Sequence, residues 1–185
     1  MRLILLGGPG SGKGTQGYRL ARRFKVPHIA SGDLLRAEVR AGTELGRTAT
    51  GYLDAGQLVP DELVFDLVMP AALAAAKTGG YILDGFPRSV AQAVKAAELA
   101  ASSDAAPERV IFLSAPRPVL VRRLLDRAAA EGRSDDTLEV ITDRLQVFES
   151  ETSPLADYYR AAGLLREVAA DQPEENVTEA ILAVL

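Results

Sequence analysis

The 185-residue sequence contains no cysteine and no tryptophan, and aromatic residues make up only 5% of it. Without cysteine the chain can form no disulfide bond, no thiolate zinc site and no thiol nucleophile. Acidic residues outnumber basic ones by 25 to 21, which argues against a general nucleic-acid coat and against a polybasic membrane binder. The low aromatic content also provides no stacking platform for nucleic-acid bases. We therefore expect no nucleic-acid partner.

Long apolar runs are also missing, and histidine occurs once, as His28. The apolar run at residues 3–6 is followed at once by glycine, and it is too short for a secretory signal or a membrane span. We expect a cytoplasmic protein without a membrane partner. His28 lies between Pro27 and Ile29 in a predicted strand, where packing is favoured over a catalytic role.

The apolar content of 48% and the chain length fit one compact folded domain. Short apolar runs predict five strands, near residues 3–6, 26–29, 81–83, 110–113 and 164–168. Helical patterns lie between them, and this alternation predicts an α/β fold with a mostly parallel sheet. Ser31 or Asp33 is expected to cap the helix that follows the second strand.

Two segments, residues 30–59 and 126–136, interrupt the alternation and carry glycine and charge instead of a strand pattern. We predict that they are small covers over the carboxyl edge of the sheet, where ligands of α/β proteins bind. The remaining core would comprise residues 1–29, 60–125 and 137–185. The alternative is ordinary surface connection, which the length of the first segment disfavours.

The strongest motif is the glycine-rich sequence GGPGSGKGT at residues 7–15, which fits G-x-x-x-x-G-K between a predicted strand and a predicted helix. Backbone N–H groups of such a loop turn inward around an anion, and the helix N-terminus adds its positive dipole end. Lys13 would supply a full charge to the β- and γ-phosphates of a nucleotide. Because Gly14 occupies the position directly after the lysine, Thr15 is the candidate hydroxyl for Mg²⁺.

Arginine accounts for 17 of the 21 basic residues. Its planar fork suits phosphate and carboxylate, although a GC-rich genome would produce the same bias, so position must decide. Arg123 and Arg127 are four residues apart and therefore share a helix face, where like charges repel unless an anion lies between them.

Together these motifs resemble those of the adenylate kinases, within the nucleoside monophosphate kinase family. The matching segments are residues 7–16 (GGPGSGKGTQ), 31–36 (SGDLLR), 54–59 (DAGQLV), 84–88 (DGFPR) and 133–136 (RSDD). The resemblance covers essentially the whole chain. It implies a P-loop NTPase-type parallel five-stranded sheet flanked by helices, with a helical monophosphate-binding insertion at 30–59 and a short lid at 126–136. It further implies reversible, Mg²⁺-dependent transfer of the terminal phosphoryl group of ATP to AMP, giving two ADP, in adenine nucleotide homeostasis and AMP salvage.

The resemblance also implies roles for individual residues. The ATP site would comprise Gly10, Ser11, Gly12, Lys13, Gly14, Thr15, Arg127 and Gln172. The AMP site would comprise Ser31, Arg36, Gln57, Leu58, Val59, Gly85, Phe86, Pro87, Arg88, Gln92, Arg133 and Arg144. Catalysis would rest on Lys13, Arg88, Arg123, Arg127, Arg133, Arg144 and Asp84, while Thr15, Asp84 and Asp33 would hold Mg²⁺, partly through water.

Chemistry supports several of these roles. Arg36 and Arg88 can bind the AMP phosphate by paired hydrogen bonds, and the Gln92 amide can donate and accept along the adenine edge. Asp84 ends an apolar strand, where the simpler alternative is a turn residue before Gly85. In the resemblance, Asp135 and Asp136 orient the arginines as the lid closes.

The short lid, which lacks cysteine, excludes the structural zinc of long-lid relatives. Gln172 lies where the family varies near the ATP base. We expect a monomer whose partners are ATP, AMP and ADP. One alternative is a UMP/CMP-type kinase, although Ser31 and Gln92 favour adenine, because pyrimidine-specific relatives tend to have Ala and Asn there. A second alternative is a non-catalytic nucleotide-binding module, which should have lost some of the basic residues at Lys13, Arg88, Arg123 and Arg133; none is missing.

Overall fold

The structure of the protein is a computed structural model, and it describes residues 1–131 and 137–185. Its sheet has five strands: β1 (Arg2–Gly7), β2 (His28–Ala30), β3 (Tyr81–Asp84), β4 (Arg109–Ser114) and β5 (Leu165–Ala169). The strand order is β2-β3-β1-β4-β5, and every neighbouring pair is parallel. The predicted parallel five-stranded sheet is thereby confirmed.

Helices connect the strands and cover both faces of the sheet. They are α1 (Lys13–Phe24), α2 (Ser31–Ala41), α3 (Glu44–Asp54), α4 (Asp61–Lys77), α5 (Val90–Ala101), α6 (Arg117–Glu131), α7 (Leu138–Val147), α8 (Pro154–Ala161) and α9 (Glu174–Ala183). A π-helical turn, Phe148–Thr152, joins α7 to α8. Within the described ranges, no helix combines the length and the apolar character needed to cross a bilayer.

The central strand β1 is buried on both faces, as its uninterrupted apolar sequence predicts. Leu3 and Leu5 pack with α1 and α9 in one hydrophobic cluster, which includes Ile181. Ile4 and Leu6 point the other way and pack with α4 and α8 in a second cluster. Alternate residues of β1 therefore anchor both helical layers, and β1 carries the glycine-rich loop at its carboxyl end.

The predicted cap of α2 is wrong. The helix begins at Ser31, and the residue before it is Ala30, which makes no side-chain capping bond. The Ser31 hydroxyl instead donates to the carbonyl oxygen of Gly85 at 2.7 Å, and the Asp33 carboxylate pairs with Arg36. Ser31 is therefore engaged by a tertiary partner, whereas Asp33 pairs with an arginine of the same helix.

The predicted insertion at residues 30–59 contains α2 and α3, which pack closely against each other. A Cβ atom on Gly46 would lie 2.2 Å from the carbonyl oxygen of Glu38, so only glycine permits this approach. The predicted lid begins inside α6, which continues to Glu131. Residues 132–136 of that lid lie outside the described residues.

Candidate functional site

A cleft of about 810 Å³ lies at the carboxyl edge of the sheet, between the glycine-rich loop, α2, α6 and α7. Most of the predicted site residues line it: Gly10, Ser11, Gly12, Lys13, Gly14, Thr15, Asp33, Arg36, Gln57, Leu58, Asp84, Gly85, Pro87, Arg88, Arg123, Arg127, Arg144 and Gln172. Segments distant in sequence thus meet at one site, which is what the α/β fold predicts.

Four predicted residues are buried beside the cleft and do not line it: Ser31, Val59, Phe86 and Gln92. The predictions for Arg133, Asp135 and Asp136 concern residues outside the described part of the chain. The Phe86–Pro87 peptide bond is cis.

The glycine-rich loop connects β1 to α1 in a conformation that requires glycine. Gly10 and Gly12 have φ angles of 82° and 91°, in the region that side-chain-bearing residues rarely adopt. A Cβ atom on Gly10 would also lie 2.7 Å from the backbone oxygen of Leu120 in α6. Ser11 is buried, and within the described residues its hydroxyl has no protein hydrogen-bond partner. The loop therefore places a buried hydroxyl without a protein partner close to the start of α1, an arrangement suited to phosphate.

Lys13 folds back over this loop. Its Nζ donates to the carbonyl oxygens of Gly7 and Gly8, at 2.7 and 3.0 Å. Burial lowers the pKa of Lys13 from 10.5 to about 8; Asp84 acts to raise it, and Arg88 and Arg127 lower it further. The ammonium group is thus held in a poorly solvated place among other cations, where an anion would be stabilised.

Arg88 is fixed by hydrogen bonds at both its backbone and its side chain. Its Nε donates to the carbonyl oxygen of Gly85 at 2.8 Å, and its Nη2 lies 3.5 Å from the Ser31 hydroxyl. Its backbone N–H donates to Oε1 of Gln92 at 2.7 Å, and its carbonyl oxygen accepts from the Thr152 hydroxyl at 2.9 Å. The guanidinium group therefore has a defined position at the cleft wall.

The electrostatic surroundings of Arg88 are unusually cationic. Burial lowers its pKa; Asp84 raises it, while the nearby Arg144 and Arg36 lower it. Arg36, which also pairs with Asp33, and Arg144 therefore lie close to Arg88 at the cleft wall. Guanidinium groups gathered in this way are suited to binding a phosphate.

Asp84 ends β3 at the floor of the cleft. Its Oδ2 lies 3.5 Å from Nε2 of His28, and a Cβ atom on Gly14 would approach the same oxygen at 3.8 Å. His28 lies in β2, packed so closely against α1 that a Cβ atom on Gly17 would lie 2.3 Å from its Nε2. His28 is therefore packed between α1 and Asp84, a candidate metal residue.

Helices α6 and α7 also contribute arginines to the cleft, namely Arg123, Arg127 and Arg144. Arg123 and Arg127 both line it, which agrees with the shared helix face that their spacing predicts. Nη2 of Arg123 lies 3.5 Å from the carbonyl oxygen of Gln172. Arg144 contacts the insertion, because a Cβ atom on Gly56 would lie 3.0 Å from its Cγ. Basic side chains from separate elements thus surround one volume.

Two residues of this region were missed by sequence reasoning. Thr152 holds the carbonyl oxygen of Arg88 from the π-helical turn, and Asp61 accepts hydrogen bonds from Gln92 and Ser89. Asp61 follows Pro60 and looks in the sequence like an ordinary first residue of a helix. No local pattern marks either residue, since their partners are distant in the chain.

The fold and the cleft together define a P-loop phosphotransferase: a parallel α/β sheet, a glycine loop with its lysine at the start of α1, and arginines converging on the same cleft. Comparison with known proteins identifies the family. The adenylate kinase family model matches residues 5–164. Adenylate kinase 1 of Nostoc sp. is 47% identical over 184 residues, covering 100% of this chain and 98% of the relative.

Two further relatives agree. The adenylate kinase of Synechococcus sp. is 48% identical, covering 100% of this chain and 95% of its own, and that of Stenotrophomonas maltophilia is 42% identical, covering 100% and 99%. The chain belongs to the adenylate kinase family. Its activity is that of an ATP:AMP phosphotransferase, and the comparisons give no support to a pyrimidine monophosphate kinase.

Proposed function

We propose that ATP lies with its phosphates on the loop at residues 10–15 and that AMP binds between α2 and the segment 85–92. The observation that carries this proposal is that Lys13 and Arg88 line one cleft, with Arg88 close enough to lower the pKa of Lys13. Two polyanions held by these two cations would have their phosphates adjacent. The buried Ser11 hydroxyl is available to the ATP phosphates.

In the proposed reaction an oxygen of the AMP phosphate attacks the γ-phosphorus of ATP. A new P–O bond forms, the bond from the γ-phosphorus to the β,γ-bridging oxygen breaks, and both products are ADP. The attacking oxygen is anionic at neutral pH, so no general base is needed. The work of the protein is to position the two phosphates and to stabilise their charge. Arg88 would orient the attacking phosphate, and Arg123, Arg127 and Arg144 would surround the transferring group.

The residues at the cleft floor fit Mg²⁺, which binds oxygen ligands and is often shared between one or two carboxylates and substrate phosphates. Asp84 and the exposed hydroxyl of Thr15 supply such oxygens beside the phosphate loop. When bound, Mg²⁺ would neutralise part of the charge on the ATP phosphates. Asp33 would join this site only after its ion pair with Arg36 opens.

The predicted contacts to the AMP base fall on Gln92 and on the backbone of residues 57–59. Gln92 uses its Oε1 to accept from Arg88 and its Nε2 to donate to Asp61, which leaves one acceptor lone pair and one N–H for the adenine edge. The proposed physiological role is adenine nucleotide homeostasis and AMP salvage. We also propose a monomeric, cytoplasmic enzyme, for which gel filtration of the purified protein tests the oligomeric state.

The test compares Arg88→Ala with Arg122→Ala in a coupled assay of ADP formation. Arg122 is an exposed neighbour of Arg123 that does not line the cleft, so its loss should leave turnover near that of the unaltered protein. Arg88→Ala should reduce turnover at least about 100-fold while ATP binding stays within a few fold. Equal activity of the two variants would contradict the role of Arg88. A panel of AMP, UMP, CMP and GMP should show a clear preference for AMP.

A further inference from the structure

The amide of Gln92 is held in one orientation by two partners of opposite hydrogen-bonding character. The backbone N–H of Arg88 can only donate, and it lies 2.7 Å from Oε1. The carboxylate of Asp61 can only accept when ionised, and its Oδ1 lies 2.6 Å from Nε2. Turning the amide over would place two donors together at Arg88 and two acceptors together at Asp61.

Asp61 is itself fixed in place. Its second carboxylate oxygen accepts from the Ser89 hydroxyl at 3.0 Å, and the same hydroxyl caps α5 by accepting from the backbone N–H of Gln92 at 3.1 Å. Gln92 is buried, with 3% of its surface exposed. The orientation of its amide is therefore set by a closed network that joins the starts of α4 and α5.

The orientation of the Gln92 amide decides which purine base can pair with the Oε1 lone pair and the Nε2–H that Arg88 and Asp61 leave unused. Adenine presents a 6-amino donor beside an N1 acceptor, whereas hypoxanthine presents a 6-oxo acceptor beside an N1–H donor. In the proposed function the oriented amide presents its remaining Oε1 lone pair and its remaining Nε2–H to the base, in a fixed order. An amide in one order can match only one of these two bases, and reading the other requires the amide to turn over.

We infer that Asp61 is a positioning residue that determines base specificity by locking the Gln92 amide in the order that fits adenine. The inference rests on the proposed function, in which Gln92 faces the AMP base. It assigns to Asp61 a role distinct from the general stabilisation of a helix start by an acidic residue. Glu62 shares that general role, since both lie in the first turn of α4 and both are exposed.

The experiment measures kcat/KM for AMP and for inosine monophosphate, whose bases differ in this donor–acceptor order. Asp61→Asn keeps the shape of the side chain but supplies a donor as well as an acceptor, so turning the Gln92 amide costs less. The ratio of AMP to inosine monophosphate should fall by roughly tenfold, the effect expected for one charge-assisted hydrogen bond. Glu62→Gln, which removes the same charge from the same helix turn, should keep the ratio of the unaltered enzyme.

Because each ratio is taken on one preparation, the fraction of folded enzyme cancels, and Asp61→Ser provides a second variant if the first is poorly expressed. The variant Gln92→Ala distinguishes a failure of the proposed role of Gln92 from a failure of the inference about Asp61. If Gln92→Ala leaves the AMP preference unchanged, the proposed function at this residue fails. If Gln92→Ala loses the preference while both Asp61 variants keep it, the proposed function stands and the inference about Asp61 is overturned.

Discussion

Replacing Lys13 with methionine should abolish turnover and yet make the protein more stable at neutral pH. In the folded chain the Lys13 ammonium group is poorly solvated and lies near Arg88 and Arg127. Methionine keeps most of the aliphatic length of the side chain but carries no charge that must lose its hydration. A functional lysine that is unfavourable for folding is an instance of the trade-off between stability and activity.

The size of the expected stabilisation follows from the lowered pKa of Lys13. A pKa lowered from 10.5 to about 8 corresponds to about 3 kcal/mol of folding free energy, at about 1.4 kcal/mol per pH unit. The hydrogen bonds from Lys13 to Gly7 and Gly8 offset part of this, so Lys13→Met should raise the free energy of unfolding by about 1–3 kcal/mol at pH 7. For a chain of this size that is a rise in Tm of about 2–4 °C per kcal/mol.

The sign of the pH dependence provides the sharper test. Between pH 8 and 10.5 the unfolded chain binds more protons at Lys13 than the folded chain, so this residue makes stability rise with pH in that window. Below pH 8 it is charged in both states, and the full penalty applies. The advantage of Lys13→Met should therefore be largest at pH 7 and shrink toward pH 10.

Urea unfolding at pH 7 and pH 9.5 measures the gain in unfolding free energy caused by Lys13→Met and its change with pH. Lys77→Met, at an exposed lysine in the last turn of α4, is the matched control and should lower stability slightly at both pH values. Equal destabilisation of the protein by Lys13→Met at pH 7 and pH 9.5 would contradict a loss of hydration at the Lys13 ammonium group.

Two further predictions concern packing and the AMP site. Gly46→Ala should destabilise the protein by about 1–3 kcal/mol because its Cβ would meet the backbone of Glu38, whereas Gly51→Ala in the same helix meets open space and should stabilise it by up to about 1 kcal/mol. Equal shifts of the two urea midpoints would contradict the close packing of α2 and α3. Thr152→Val should raise KM for AMP about fivefold with KM for ATP unchanged, since it removes the hydrogen bond to Arg88, and Thr152→Ser should restore it. A parallel rise in both KM values would assign Thr152 to general stability instead.

Features that depend on residues close together in the chain were predicted well. The apolar run of β1, the glycine-rich loop before α1 and the shared face of Arg123 and Arg127 each follow from local periodicity, and the structure has all three. The predicted cap of α2 was wrong because the preference of Ser31 for a helix start lost to a tertiary partner. That partner is Gly85, 54 residues away.

The network around the AMP site lay beyond sequence reasoning for the same reason. The hydroxyl of Thr152 meets Arg88 across 64 residues, and Asp61 meets Gln92 across 31. A single sequence encodes no distance between such segments, so neither pairing could be found from residue types or spacing.

By itself, the sequence determined the alternation of strands and helices, the phosphate-binding loop and the set of arginines, because these are written in neighbouring residues. The tertiary structure alone decided which partners hold Arg88, how the Gln92 amide is turned and how far burial lowers the pKa of Lys13. Those properties depend on distances and on exclusion of water, which exist only once remote segments have packed together.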